Sequence, residues 1–580
     1  MSMFIKLAPS GSTRPFSESP PLQRGRPALP AWSAWSLFLG LVFVSLARAG
    51  VPVATESALF THSIRVTLDE PERGTTIRST RDGSIPSDVH GTPYHSPFTL
   101  QDTTILRFAV FREGQRVSPV ITRSYIRLDQ VEHQTGSGSP STWGVRNGQP
   151  VRSSYRLASE ILADPEVRAD FLDGLRRLPT VSLSFDPQDL FGADRGLYAH
   201  PMEYGEAWER PCSLEYFPAN GSPPSRVEAG ARIQGGWNRR PEESPKHAFR
   251  IFFKSKYGPA QWQYPLFGPQ NPTTFNSLIL RAGCNNTWLH WSGVERARGD
   301  YIRDQWMRDT AREMGLAASR GHFVHLYLNG LYWGLYNLTE RPDHAYAASV
   351  WGGKKSDYES RNGENLLEGD DQAWKSLFAA ANGPASPAAL SEIERLLDVQ
   401  AFADYMLLNY YGANGDWDRV SNWYAVRRKP SGKFLFLVWD GERTLEQVRD
   451  NTLSSDDDLS PTRLFHRLKT YPEFRDILGK RARHHLVNRG GALRPDRAAA
   501  RYQYWADLLR QPIVAESARW GAYRRDIHPY KTGPYELYQR GTHWSPEILR
   551  LTREYFPQRT GVFLEQLREA GLIGDLGTPP

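Results

Sequence analysis

The segment around Asn329-Gly330 constrains the fold of this chain more than any other. Two runs of mostly apolar and aromatic residues, 322–328 and 331–337, flank the dipeptide. Asn-Gly between such runs is the strongest short-range signal for a β-hairpin, because both residues accept the positive φ angles of a tight turn. We therefore expect two antiparallel strands here, which places a β-sheet in the middle of the chain.

Strand and helix patterns separate on the two sides of this hairpin. Residues 178–290 are β-rich in pattern, and the region beyond about 390 is mostly helical, apart from one further hairpin. Just before the central hairpin, apolar residues recur at helical spacing and predict an amphipathic helix. They are Ile302, Trp306, Met307, Ala311 and Met314. The predicted fold class of this main region is α+β.

The N-terminus has the pattern of an export signal. An apolar run at 35–47 follows Arg24 and Arg26, and Ala47-Arg48-Ala49 forms a small-x-small cleavage site. The run would make only about 20 Å of helix, short of the roughly 30 Å of a bilayer core. We expect residues 1–49 to be a cleavable signal peptide, with no retained membrane span and a secreted or cell-surface product.

Charge and cysteine content exclude two classes of function. Residues 1–49 carry +4 of the net charge of +7, so the exported chain is nearly neutral and no nucleic-acid partner is expected. The only cysteines, Cys212 and Cys284, rule out a cysteine-based zinc site. Export makes a disulfide between them feasible, and the sequence leaves open a bridge or two buried thiols.

Residues 51–128 are expected to form a small β-sandwich, because short alternating runs are separated by turn residues. Residues 75–86 resemble the signature of the chitobiase/hexosaminidase C-terminal-like module, with Ser79 at a position where that family usually has Tyr. The resemblance implies an Ig-like accessory domain, which could bind cell-surface glycan. Residues 129–176 are expected to be a linker with a short helix at 157–176.

The further hairpin carries the candidate chemistry. Strands 423–428 and 434–439 flank a turn, and taking Ser431 as its centre places Asn422 opposite Asp440, roughly 5 Å apart. Asp416 lies in the Asn, Asp and Gly-rich loop just before Asn422. An amide oxygen and two carboxylates together can hold Mg²⁺ or Mn²⁺ and orient a hydroxyl nucleophile.

From Leu178 to about Gly521 the chain resembles the CotH kinase family. The resemblance rests on separated blocks in a constant order. They are 178–183, 189–191, 208–211, 232–236, 245–250, 280–283, 301–304, 328–336 with 339–341, 414–423, 439–442 and 516–521. It implies an atypical protein-kinase-like fold with a β-rich N-lobe and a helical C-lobe at 178–530, followed by a helical extension at 531–580.

The resemblance also implies residue roles and cofactors. Asp416 is expected as the catalytic Asp, and Asn422 and Asp440 as metal ligands for Mg²⁺ or Mn²⁺. Lys246 is expected to contact the phosphates of ATP, with Arg250 able to substitute for it. The remaining nucleotide-binding candidate is Glu340, expected at the hinge after the central hairpin.

One spacing departs from the kinase pattern. In eukaryotic kinases the Asn lies five positions after the catalytic Asp, whereas Asn422 lies six positions after Asp416 and four after Asp418. The leading hypothesis is an exported kinase that phosphorylates hydroxyls of surface or extracellular proteins. A catalytically inactive surface or matrix scaffold with a kinase fold is the first alternative. A glycan-binding or glycan-active protein, with paired carboxylates in a sugar cleft, is the second.

Overall fold

The computed structural model of the 580-residue chain describes residues 54–69, 72–417, 422–529 and 532–576. The predicted signal peptide at 1–49 and the alternative base Asp418 lie outside the described residues. Within the described ranges, no helix is both long enough and apolar enough to cross a membrane.

The front of the described chain folds as two small sheets that share one core. The strands are β1 Ala58–Phe60, β2 Ile64–Val66, β3 Thr76–Thr80, β4 Thr92–Pro93, β5 Phe98–Leu100, β6 Thr104–Arg112, β7 Gln115–Arg116 and β8 Ile121–Arg127. The larger sheet has the order β1-β8-β6-β3-β4, with β7 beside β6, while β2 pairs with β5. Val66, Leu106 and Phe108 are fully buried in the core. The expected small β-sandwich is confirmed.

The region expected to be a linker is largely folded. It contains β9 Thr142–Arg146, β10 Gln149–Arg152 and the helix α1 Pro165–Arg177. Trp143 is 2% exposed, and its ring lies 5.7 Å from that of Trp333. The linker prediction for 129–176 was therefore wrong over most of its length, because an indole in a Gly- and Ser-rich stretch still finds an apolar surface to cover. The short helix is present but begins later than expected, capped by Asp164.

The main β-region closes into a barrel. Its strands and the elements between them are β11 Thr180–Phe185, α2 Pro187–Phe191, β12 Arg210–Phe217, β13 Ser225–Gln234, β14 Ala248–Phe252, β15 Trp262–Gln263, β16 Thr274–Phe275, β17 Ser277–Arg281, α3 Gly293–Ala297, α4 Arg303–Glu313, β18 Gly321–Leu328 and β19 Leu331–Glu340. The barrel order is β11-β12-β13-β14-β17-β19-β18, and parallel pairing of β11 with β18 closes it. The predicted Asn-Gly hairpin is confirmed, with φ of 46° at Asn329 and 81° at Gly330.

The front module packs directly on this barrel. The Arg107 guanidinium donates to the Ser184 carbonyl at 2.7 Å, and the hydroxyls of Ser124 and Ser182 lie 2.9 Å apart. All four groups are buried, so the sandwich and the barrel share a polar, hydrogen-bonded contact.

Helices and one further sheet form the rest of the chain. They are α5 His344–Trp351, β20 Tyr358–Asn362, β21 Asn365–Glu368, α6 Gln372–Asn382, α7 Pro387–Leu396, α8 Val399–Tyr411, β22 Trp423–Arg428, β23 Leu435–Val438, α9 Pro461–Leu468, α10 Pro472–Ala482, α11 Pro495–Leu509, α12 Pro512–Trp520, α13 Tyr523–Asp526, α14 Ser545–Leu549 and α15 Phe556–Glu569. The predicted apolar face of α4 is buried along its whole length in this helical core. Trp544 and Phe563 from the expected C-terminal extension lie in the same core, so the described part of the extension, 532–576, packs as part of it.

The hairpin of β22 and β23 differs from the prediction by one residue of register. Trp423 pairs with Val438 and Val426 with Leu435, so the hairpin is centred between Pro430 and Ser431 rather than on Ser431. The connection is wider than a two-residue turn, since the Gly432 N–H donates to the Arg428 carbonyl at 2.8 Å. Asn422 and Asp440 therefore lie at the same open end without facing each other as a pair.

Candidate active site

A cleft with a volume of about 680 Å³ lies between one outer face of the barrel and the helical region. Gln234, Ala248, Ile279 and Arg281 line it from the barrel, because alternate residues of a strand face the same side. Gly415, Asp416 and Asn422 line it from the opposite side, together with Trp439, Asp440, Glu442 and Arg443, and the glycine-containing loop 235–238 also lines it. A volume of this size is typical of small-ligand and cofactor sites.

The three residues predicted for catalysis and metal binding line this one cleft. Asp416, Asn422 and Asp440 arrive there from two separate loops. The side-chain amide of Asn422 donates to the backbone carbonyl of Asp416, which ties the two ends of the loop together. Its amide nitrogen is thereby directed at the protein, and its amide oxygen is the atom suited to a cation.

The end of α8 holds this loop in place. Asn414 follows that helix, and its backbone and side-chain amides both donate to Asn409, at 3.0 and 3.1 Å. The Gly415 N–H donates to the Arg443 carbonyl at 2.9 Å, which joins the loop to the segment after β23. Asp416 is therefore positioned by a buried helix end on one side and the Asp440 segment on the other.

Asp440 has a backbone conformation that few residues adopt. Its φ is 56°, in the left-handed region that is costly for residues other than glycine, although Asp tolerates it better than most. The next residue, Gly441, donates its N–H to the buried Asp304 carboxylate at 3.0 Å, which fixes the turn. The Asp440 side chain is 34% exposed and reaches the cleft.

Arg281 at the end of β17 is the cation of the site. Its guanidinium contacts Asp440 at 2.5 Å, Glu442 at 2.9 Å and Asp304 at 3.3 Å. Burial alone would lower its pKa, but these three carboxylates raise it well above the usual value. Arg281 is therefore permanently charged and is 10% exposed at the cleft wall.

The carboxylates around Arg281 differ in their proton affinity. Burial raises the pKa of Asp440, an effect that Arg281 opposes and the nearby Asp304 reinforces. Burial likewise raises the pKa of Glu442 to about 7, although one of its oxygens accepts the N–H groups of Cys284 and Asn285. In Asp304 the charges of Arg281 and Arg308 outweigh burial and lower the pKa.

The residues predicted to bind the nucleotide lie elsewhere. Lys246 is 1% exposed, with its ammonium 2.7 Å from Glu516 and 2.6 Å from the Leu335 carbonyl. Glu340 is buried at the end of β19 against Arg320, at 3.3 Å. Neither is among the residues that line the cleft; each side chain is held in an ion pair, and its nucleotide role stays a prediction.

Arg250 lies on β14 two residues from Ala248 and so on the same strand face, beyond the part of the cleft that surrounds Asp440. Arg281 and Asp304 were not singled out from the sequence. The sequence feature that could have pointed to them is a basic residue at the end of a strand and an acidic residue at the start of a helix. These residues lie within blocks 280–283 and 301–304.

The donor set suits a hard divalent cation. In the described ranges no cluster of three His, Cys, Asp or Glu side chains forms a metal site by itself. A kinase-type site does not require one, since one Asp and one Asn hold the cation while phosphate oxygens and water complete its shell. Asp440 and Asn422 supply these two oxygen ligands in one cleft, so Mg²⁺ or Mn²⁺ fits the residues present. Cys212 and Cys284 are free thiols, not a disulfide.

A cleft between a β-barrel and a helical region, lined by these carboxylates and a paired strand arginine, is compatible with a kinase-like domain. The family model described as CotH kinase protein matches residues 231–560, more than half of the chain. The chain belongs to the CotH kinase family. The model described as Fn3 associated matches residues 66–125, within the front sandwich. No curated protein matches the chain.

Proposed function

We propose that the chain is an exported atypical protein kinase that transfers the γ-phosphate of ATP to hydroxyl groups of surface or extracellular proteins. The observation that carries the proposal is the convergence of Asp416, Asn422 and Asp440 from two loops in one cleft. Membership of the CotH kinase family supports phosphotransferase activity. Export rests on the signal-like sequence at 1–49.

In the proposed reaction the acceptor hydroxyl binds beside Asp416. As its oxygen forms a bond to the γ-phosphorus, the bond from that phosphorus to the β,γ-bridging oxygen breaks and ADP leaves. The hydroxyl proton passes to the Asp416 carboxylate. Asn422 and Asp440 would hold Mg²⁺ or Mn²⁺, which when bound neutralises phosphate charge. Arg281 presents its guanidinium to the same space.

The glycine-containing loop 235–238 would cover the phosphates. Gly235 has φ of 117°, and a Cβ on it would lie 2.1 Å from the Asn238 side-chain oxygen. Arg239 holds this loop by donating to the Gly235 carbonyl at 2.7 Å and to two carbonyls of the segment 201–203 at 2.9 Å. The space beside Gly235 is filled by the Asn238 side chain, whereas a Cβ on Gly236 would meet nothing within 4 Å, so the backbone at Gly236 can approach a phosphate closely.

Phosphate transfer from γ-labelled ATP tests the proposal. Residues 50–580 are incubated with Mg²⁺ or Mn²⁺ and a protein acceptor, beside Asp440→Asn and Asp416→Asn. Asp476→Asn is the matched control, because Asp476 is 63% exposed on α10, away from the cleft, and pairs with Lys480. We expect transfer in wild type and control and its loss in the two cleft variants. No transfer with either metal, together with no stabilisation by ATP, would refute the kinase.

One observation favours the inactive scaffold as a second candidate. Asp440 is already paired with Arg281 at 2.5 Å, a contact that can substitute for a metal ion. A scaffold would keep this pair permanently, so the melting temperature would not respond to ATP and metal, and Asp440→Asn would lower it. A kinase instead gains stability from ATP with metal, and Asp440→Asn removes that gain.

A further inference from the structure

The loop after β17 is bound to the segment that carries Asp440. Residues 284–286 donate three hydrogen bonds to Glu442, two to its carboxylate and one to its backbone carbonyl. Four residues further on, His290 lines the same cleft as Asp416 and Asp440. The loop therefore brings an imidazole to the wall of the candidate active site.

One edge of the His290 imidazole is fixed by the protein. Its Nδ1 accepts the Ser292 N–H at 3.1 Å. A neutral imidazole that accepts at Nδ1 carries its proton on Nε2, which is then a hydrogen-bond donor. Burial lowers the pKa of His290 to about 3, and the charges of Arg443 and Arg524 act in the same direction. The ring is therefore neutral, with its proton on Nε2.

The Nε2 donor of His290 is left to the cleft. Because Nδ1 is directed at the loop, the opposite edge of the ring is the one available to the cleft that His290 lines. His290 is only 3% exposed, and within the described ranges no acceptor is hydrogen-bonded to its Nε2. Among the described atoms, this Nε2 is not one of those that are both unpaired and closed to solvent. An unpaired donor in a nearly buried ring is costly, so an acceptor oxygen on a bound ligand is favoured here.

The surroundings of this donor carry positive charge. Arg296 is fully buried, and its guanidinium donates to the His290 carbonyl at 2.8 Å. Its hydrogen bonds within the described ranges go to backbone carbonyls and to the Tyr538 hydroxyl, so no carboxylate is bonded to it there. Arg524 donates to the carbonyl of the residue before His290, at 2.8 Å. A donor in a positive field favours an anionic oxygen over a neutral one.

Arg443 connects the position of His290 to that of Asp416. Its backbone carbonyl accepts the N–H of Gly415, the residue directly before Asp416, at 2.9 Å. Its guanidinium contacts Glu295, on the short helix α3 that follows His290, at 3.3 Å. After burial, the charge of Arg443 is the largest influence on the pKa of His290. His290 therefore lies at the end of the cleft where Asp416 would meet the acceptor hydroxyl.

We propose that His290 is a phosphate-contacting residue, whose Nε2–H donates a hydrogen bond to an oxygen of the γ-phosphate, the group that is transferred. This inference rests on the proposed kinase function. The transferred group spreads its charge over three equatorial oxygens, and a cation held by Asp440 and Asn422 leaves some of them to protein donors. A neutral donor that is already oriented stabilises the developing charge without gaining or losing a proton. The proton of the acceptor hydroxyl still passes to Asp416.

Calorimetric titration of residues 50–580 with ATP and with ADP, each with Mg²⁺, isolates the γ-phosphate from the rest of the nucleotide. In His290→Asn the side-chain oxygen can still accept the Ser292 N–H, as in an Asx turn, but the shorter amide does not reach the position of Nε2. We expect His290→Asn to weaken ATP about tenfold and ADP less than about twofold. His290→Gln, whose longer side chain carries an amide donor, should keep most of the affinity for ATP.

The control and the outcomes separate the two proposals. His133→Asn is the matched control, because the His133 side chain is 61% exposed and does not line the cleft, so both affinities should be unchanged. If His290→Asn fails to fold, His290→Phe, which keeps a ring, provides the same comparison. Equal loss of ATP and ADP overturns the inference and leaves the kinase standing. Unchanged affinity for both, with a raised KM for the protein acceptor, assigns His290 to the acceptor and also overturns it. Binding of neither nucleotide by the folded wild-type chain refutes the kinase, and the inference with it.

Discussion

Removing the buried charge of Lys246 should destabilise the barrel, because Lys246 and Glu516 neutralise each other inside the protein. Lys246 is 1% exposed, Glu516 is 0% exposed, and their charged atoms lie 2.7 Å apart. Burial lowers the pKa of Lys246, and Glu516 opposes that shift. The Glu516 carboxylate accepts from the Lys246 ammonium and from the Leu335 N–H, each at 2.7 Å. Lys246→Met would remove the first of these donors and leave the second.

We expect Lys246→Met to cost roughly 3–5 kcal/mol, the usual penalty for an uncompensated buried charge. This corresponds to a fall in melting temperature of roughly 4–6 °C for a domain of about 400 residues, at about 2.1 cal/mol/K of unfolding entropy per residue. In Lys246→Met/Glu516→Gln the new amide can accept the Leu335 N–H and donate to the Leu335 carbonyl. No charge or polar group is then left unpaired, so the double variant should recover to within about 1–2 kcal/mol of wild type.

Differential scanning calorimetry of the two variants, with and without ATP and Mg²⁺, measures both effects. The double variant should keep its stabilisation by ATP, because Lys246 does not line the cleft. A Lys246→Met protein as stable as wild type would refute the buried-pair argument. A stable double variant that no longer responds to ATP would support the predicted phosphate contact of Lys246.

Two further predictions concern the barrel and the helices. Burial lowers the pKa of His325 to about 4. The neutral imidazole therefore contributes about 3 kcal/mol to the free energy of unfolding above pH 6.5, and this contribution is lost as pH falls toward 4. His325→Gln should flatten the dependence of the urea midpoint on pH in that window, and a slope parallel to wild type would contradict this. A Cβ on Gly174 of α1 would meet the Gln511 backbone at 2.7 Å, whereas one on Gly479 of α10 would meet nothing within 4 Å. Gly174→Ala should therefore destabilise by about 1–3 kcal/mol and Gly479→Ala stabilise by about 0.5–1 kcal/mol, and thermal melts with equal shifts would contradict the packing argument.

Sequence alone determined the local elements of this protein. The Asn329-Gly330 hairpin, the apolar face of α4 and the strands of the front module follow from side-chain period and turn chemistry within a few residues. The meeting of Asp416, Asn422 and Asp440 was also predictable, because one loop and one hairpin carry all three.

The tertiary structure decided what depends on distant segments. Parallel pairing of β11 with β18 closes the barrel, and no local pattern specifies it. Arg281 became the cation of the site because it meets Asp440, 159 residues away, while Lys246 was diverted to Glu516, 270 residues away. A lysine just before one strand and an arginine at the end of the neighbouring strand are equivalent in sequence. Their roles differ because packing buries one charge against a helix and leaves the other at the wall of the cleft.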